Sequence, residues 1–388
     1  MENIKEINKL YSHILSNLLK EEVLEKIKIN EDEMQSILSN AEFLDKIASD
    51  AKNERHSCLD VYNMTIDILK EVCNELPKDW MNYVYEYILD KSFPNAVTIK
   101  LEEKYEKAAL LYLNFLKAVF EYDEIAYGFD RFSTFQLLTE EELEECNYPD
   151  EYNLFMHEFN ERYVYQLMRL SKEITEHNTI DHIAGVHYAS MHVARQLNKI
   201  GVPINISIVS AAAIGHDIGK YGCRKFEQHR VAYLHYYYTD QWFKKIDTPI
   251  IAHIATNHST WDLELENLPV EELILIYADF RVKNKLNNGK LEMDIFTLDD
   301  SFNIILDKLD NVDAAKEKRY KKVYNKLKDF ENYMHSLGVN TDFTRCTPAN
   351  VNQKDFSLAQ GKEIIDNLKF IAIKHNISLM NKLSHDVS

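Results

Sequence analysis

An all-α fold is predicted by three observations on this 388-residue chain: only nine Gly and seven Pro punctuate it, long stretches are rich in Leu, Ile, Glu, Lys and Asn, and apolar residues recur at three- and four-residue steps. The clearest apolar seam is Phe155, Phe159, Tyr163, Leu167 and Leu170, which share one helix face. With 45% hydrophobic residues, including 23 Tyr and 18 Phe, the chain has ample material for a buried core. Its length predicts two or three packed units rather than one.

Charge and cysteine usage narrow the function classes. A formal net charge of −18 sets the chain's own field against nucleic-acid backbones, and no sequence pattern of interleaved aromatic and basic residues stands out, so a small diffusible substrate is the expectation and nucleic acid is disfavoured. Cys58, Cys73, Cys146, Cys223 and Cys346 are widely spaced with no CxxC pair, which fits ordinary thiols in a reducing compartment. The first 26 residues carry charges throughout and lack a leader-like apolar segment, and no stretch approaches the roughly 18 apolar residues of a membrane span. A cytoplasmic protein with no membrane contact is the resulting expectation.

In chain order, residues 1–170 read as a helical domain of unassigned role, broken at Pro77, at Ser92-Phe93-Pro94-Asn95 and around Asn147-Tyr148-Pro149. Residues 171–290 differ in kind, because nine of the fifteen histidines fall between His177 and His258. Residues 291–345 read as a helical extension, entered by a turn at Asn287-Asn288-Gly289, opened by Thr297 as an N-cap and closed near Gly338. Residues 346–388 read as a linker and a last helix whose capping box is Ser357 with Gln360. The chain stops at Ser388 without an end signal, as a piece of a longer protein would.

The segment from Val202 to Gly222 carries the densest chemical signal. Ile206, Ile208, Val209, Ala211, Ala212, Ala213 and Ile214 make a helix that is apolar nearly all round and therefore buried, and at its end stand His216 and Asp217, with Gly219 as the stop. A buried carboxylate beside a histidine is costly unless something neutralises it. A divalent metal does so economically; the alternative is that Asp217 caps a helix or pairs with Lys220 while His216 is a core histidine. Asp279 poses the same problem, because it comes after Leu273, Ile274, Leu275, Ile276 and Tyr277 inside an apolar run; its alternative partners are Arg281 and Lys283.

Gly215-His216-Asp217-Ile218-Gly219-Lys220 resembles the HDIGK form of the HD superfamily of metal-dependent phosphohydrolases, whose pattern is a His, a His-Asp pair and a downstream Asp on separate helices. The likeness covers roughly residues 177–290. It implies an HD-type helical bundle with metal ligands His187, His216, Asp217 and Asp279, His187 being chosen because Met191, Ala194, Leu197 and Ile200 continue its face. His235 and His258 are the candidates for a second ion, with His229 and His253 as alternatives. His177, His182 and His192 are taken as solvated or structural, since five-residue steps turn a helix by about 140° and scatter them over its surface. The Gly-Tyr-Pro of the cyclic-dinucleotide branch and the Glu-Asp pair of the alarmone hydrolases are both absent.

This likeness further implies one or two divalent ions (Mn, Fe, Zn, Mg or Co) and hydrolysis of a phosphoester, with a nucleotide as the expected substrate and a metal-activated water as nucleophile. Asp217 and Lys220 would be catalytic, and Lys220 with Arg224 would hold phosphate oxygens. Two rivals remain: a non-catalytic regulatory or signalling module that keeps the motif, and a metal-dependent nuclease.

Overall fold

The structure, a computed structural model, describes residues 2–49, 54–175, 179–258, 268–308 and 314–343. The chain is all-α as the sequence predicts, apart from one two-stranded hairpin among the described residues. It divides into two compact units, one of residues 1–129 with 159–177 and the other of residues 130–158 with 178–388. The sequence reading groups residues 130–158 with the N-terminal helices; they belong instead with the second unit, because Phe155 stacks on Phe243 and packs edge-on against Trp242. The reading of residues 346–388, including the Ser357 and Gln360 capping box, lies outside the described residues.

The first unit is built around α7 (Glu106–Tyr127), which is buried almost continuously from Ala108 to Phe120 and accordingly sits at its centre. Packed around it are α1 (Glu2–Leu18), α2 (Glu21–Ile27), α5 (Cys58–Cys73), α6 (Trp80–Ser92) and α10 (Val164–Thr175), with α4 (Ala41–Ser49) against α1 and α5. The short α3 (Glu31–Leu38) starts at Asn30, whose side chain accepts from the Glu33 amide. Ser57 and Asp60 form a reciprocal capping box at the start of α5.

In the second unit, α8 (Glu140–Glu144) and α9 (Pro149–Glu161) precede α11 (Thr179–Lys199), α12 (Ile206–Gly215), the single turn α13 (Gly219–Gly222), α14 (Val231–Ile246), α15 (Pro249–Thr256) and α16 (Val270–Arg281). Every residue of α12 is buried, and the helix packs against α11, α15 and α16, as its all-round apolar sequence requires. Gly215 ends α12 under the Phe243 ring, where a Cβ would lie 2.5 Å from Cζ. The turn at Asn288-Gly289 joins β1 (Val282–Asn287) to β2 (Lys290–Ile295), and both turn residues have positive φ, as a two-residue hairpin loop demands. Thr297 caps α17 (Leu298–Lys308) by accepting from the Asp300 amide, and Gly338, at φ 78°, lies just past α18 (Ala314–Ser336). No helix of the described residues is long and apolar enough to cross a membrane.

Candidate metal centre

The buried end of α12 runs into the turn His216-Asp217-Ile218, and Thr239 of α14 pins that turn by donating to the His216 carbonyl (3.2 Å) while accepting from the Gly219 amide (3.0 Å). Gly219 is not the helix stop that its position suggests: it begins α13, and a Cβ on it would lie 2.0 Å from the His235 carbonyl oxygen. It is glycine because α13 and α14 touch backbone to backbone there. That closeness brings His235 to Asp217.

Asp217 is the hub. Its Oδ2 lies 3.5 Å from His182 Nε2 and 3.6 Å from His216 Nε2 and also contacts the Lys220 ammonium. Its Oδ1 lies 3.5 Å from His235 Nε2 and 3.9 Å from His258 Nε2. Asp279, on α16, accepts from His182 Nε2 at 2.9 Å. The ligand atoms of His182, His216 and Asp279 lie within 4.8 Å of one another, as do those of His216, Asp217 and His258. Helices and connecting turns far apart in sequence thus supply a single cluster.

Three of these histidines are held alike. Nδ1 of His216 donates to Ala213 O (2.8 Å), that of His235 to Val231 O (2.8 Å) and that of His258 to Ala255 O (2.6 Å). A carbonyl can only accept, so each Nδ1 carries the proton and each Nε2 presents a lone pair toward Asp217. Burial pushes the His216 and His258 imidazoles down to about 4 and lowers that of His235, so all three are neutral at pH 7. Burial would raise the Asp217 carboxyl, but Lys220 and the facing histidines overcome it and hold the group well below the usual carboxylate range. In Asp279 the same opposition of burial against Lys283 and His182 also ends in a lowered value. Two ionised carboxylates and neutral imidazoles make a setting that attracts a cation.

His216, Asp217, Asp279, His235 and His258 are therefore gathered as the sequence predicts, but His187 is not among them. Its Nε2 bonds Ser210 Oγ at 3.1 Å and its ring packs edge-on against Phe135, in full burial. His182, read from sequence as solvated or structural, stands where His187 is expected. Both lie on α11, and the face continued by Met191, Ala194 and Leu197 is the core face of that helix. His192 bonds the Asn340 carbonyl (2.9 Å), His229 is exposed, and His253 lies 3.9 Å from Glu272 and bonds Asn257. His177 is outside the described residues. Arg224 places its guanidinium 5.8 Å from the centre of the Phe226 ring. Tyr236, which the sequence does not single out, packs its ring 3.9 Å from that of His235 and 4.8 Å from that of His258.

The chain matches no family model, no curated protein and no solved structure.

The donor set suits a divalent transition ion. Imidazole nitrogen with carboxylate oxygen is its usual company, and anchoring the second imidazole nitrogen on a carbonyl is how such ligands are oriented. The buried His216 Nε2 makes no hydrogen bond among the described residues, which leaves its lone pair for an ion. The cluster also has an open side: the side chains of His182, Asp279 and Lys220 are 15%, 23% and 31% exposed, whereas those of Asp217 and His216 are closed off.

Proposed function

We propose that this protein is a metal-dependent phosphohydrolase of the HD type, acting on a phosphoester such as a nucleotide. The observation that carries the reading is the shared anchoring of His216, His235 and His258, which aims three unprotonated Nε2 atoms at one buried, ionised Asp217. His182, His216, Asp217 and Asp279 would hold one ion. Asp217 presents its other oxygen to His235 and His258, so the same residues accommodate a second. Mn, Fe and Zn suit this mixture of nitrogen and oxygen best, with Mg and Co also compatible.

Bound there, such an ion supplies Lewis acidity and a water of lowered pKa. The chain's own residues do the rest. Asp217, kept ionised, accepts a hydrogen bond from the attacking water and orients it. Lys220 lies on the open side beside Asp217 and reaches a phosphoryl oxygen as negative charge builds on it. His182, also at the open side and bonded to Asp279, confines that face of the substrate.

The test is hydrolysis of bis(p-nitrophenyl) phosphate, p-nitrophenyl phosphate and a nucleotide panel by protein loaded with Mn, Fe or Zn. Hydrolysis by wild type that falls at least about 1,000-fold in Asp217→Ala supports the reading. Metal retention without turnover of any phosphoester would instead favour a regulatory module, and full activity in Asp217→Ala would refute the site.

A further inference from the structure

The net charge of −18 is an average, and the expectation that no interleaved aromatic and basic pattern stands out fails at one place. Beyond Lys220 the chain runs Arg224, Lys225, Phe226, then Arg230, Tyr233 and Tyr237, and the three aromatic rings are among the most exposed large hydrophobic side chains of the described residues: Phe226 at 68%, Tyr233 at 74% and Tyr237 at 58%. Tyr233 and Tyr237 stand one turn apart on α14 and share a face. They flank His235 by two residues on either side, about 200° around the helix, so the face opposite the metal-directed histidine is the aromatic one. The short helical segment holding Phe226 (Lys225–Arg230) packs on α14, tied by the Tyr238 hydroxyl to Glu227 at 2.8 Å.

Three strongly exposed rings here lie close in sequence to cations in an acidic protein. Rings that offer a π-face to solvent beside cations are the stacking platform of single-strand binders. An interfacial helix would bury a contiguous apolar face in the lipid, whereas the other exposed positions of the turn, Lys225, Gln228, His229 and Arg230, are polar.

We infer that this face of α14, with the Arg224–Arg230 turn, docks single-stranded nucleic acid. Bases would stack on Phe226, Tyr233 and Tyr237 while Lys225 and Arg230 contact the phosphates. Docking itself is independent of the proposed phosphoesterase; only the later delivery of a strand past Arg224 and Lys220 to the open side of the cluster rests on that reading. Charges act here within about a Debye length, roughly 8 Å at physiological salt, so the global charge does not cancel the attraction.

Fluorescence anisotropy of a labelled single strand about 12 nucleotides long, DNA and RNA in parallel, tests this on the full chain. Wild type is expected to bind, with affinity falling roughly 20-fold between about 50 and 200 mM salt if about three phosphates are neutralised. Phe226→Ala, Tyr233→Ala and Tyr237→Ala should each weaken binding about tenfold, and Lys225→Glu with Arg230→Glu should weaken it and flatten the salt dependence. The three rings are exposed, so circular dichroism should be unchanged in their variants. His216→Ala/Asp217→Ala should bind the strand as wild type does, which separates docking from the metal reading: loss of metal with intact binding supports docking at a separate face, whereas a wild type that holds metal but binds no strand would overturn docking and leave the metal reading standing. No binding by wild type at about 50 mM salt would overturn the inference. So would binding that ignores the three rings, or that is equally strong for anionic phospholipid vesicles and ring-dependent there.

Discussion

Two groups of buried histidines in the second unit use the imidazole in opposite senses. In His187 and His192 the outer nitrogen, Nε2, is engaged by Ser210 and by the Asn340 carbonyl, and Nδ1 makes no hydrogen bond among the described residues. In His216, His235 and His258 the inner nitrogen is engaged, by a carbonyl three or four residues back on the same stretch of chain, and Nε2 is left to converge on Asp217. Burial lowers the proton affinity of both groups, so depth and pKa do not tell them apart. The engaged nitrogen does. A histidine whose long arm is engaged by its surroundings is part of the core, whereas one anchored by its short arm is a directed lone pair.

The sharpest way to break that distinction is to exchange its members. His258→Ala should lower metal affinity by about 100-fold or more, while His187→Ala should keep the ion and lose about 1–3 kcal/mol of stability through the cavity and the stranded Ser210. Isothermal titration with Mn or Zn, paired with thermal melts, reads both. Equal loss of metal in the two variants would dissolve the comparison.

A smaller effect is expected from moving the scaffold without touching a ligand. Gly219→Ala has no room for its Cβ beside the His235 carbonyl, so α13 and α14 must part, at about 1–3 kcal/mol and with weakened metal binding through His235. Unchanged melting and metal affinity in this variant would mean that the contact is not what holds His235 in place.

The pH response sharpens the comparison from another side. For His216 and His258 the folded value, about 4, lies below the unfolded 6.5, so between these limits the unfolded chain binds more protons than the native one. Stability of the metal-free protein is therefore full above about 6.5 and declines as pH falls toward 4, with Asp217 and Asp279 extending the loss below the unfolded carboxylate value. At about pH 6, adding Zn should raise the melting temperature of wild type and not of His216→Ala. A melting temperature flat from about pH 7 to pH 4 would contradict the burial of neutral imidazoles.

Much of this is legible in the sequence, and for local reasons. The buried helix Ile206–Gly215 announces itself by having no polar face, and polar groups at its end have to be explained. Asp279 is found the same way, as a charge inside an apolar run. The choice between His182 and His187 is not legible by that logic, because an apolar face identifies what a helix buries in the core, and His187 satisfies it by being core. Which face of α11 meets α12 and α16 at its first turns depends on where the helix starts, at Thr179, and nothing in the sequence before it fixes that phase. The hairpin is hidden for a different reason: Lys283, Asn284, Lys285 and Asn287 are poor strand formers, and only the Asn288-Gly289 turn marks it. Gly219 reads as punctuation, since a close backbone approach has no signature in one dimension.

Elemental analysis of wild type and of the His216→Ala/Asp217→Ala variant, both loaded with Mn, Fe or Zn and then desalted, tests the central claim most directly. One or two ions per chain in wild type and none in the variant, with both proteins folded by circular dichroism, is the predicted result. Equal metal content in the two, or none in wild type, would contradict a metal centre built on Asp217.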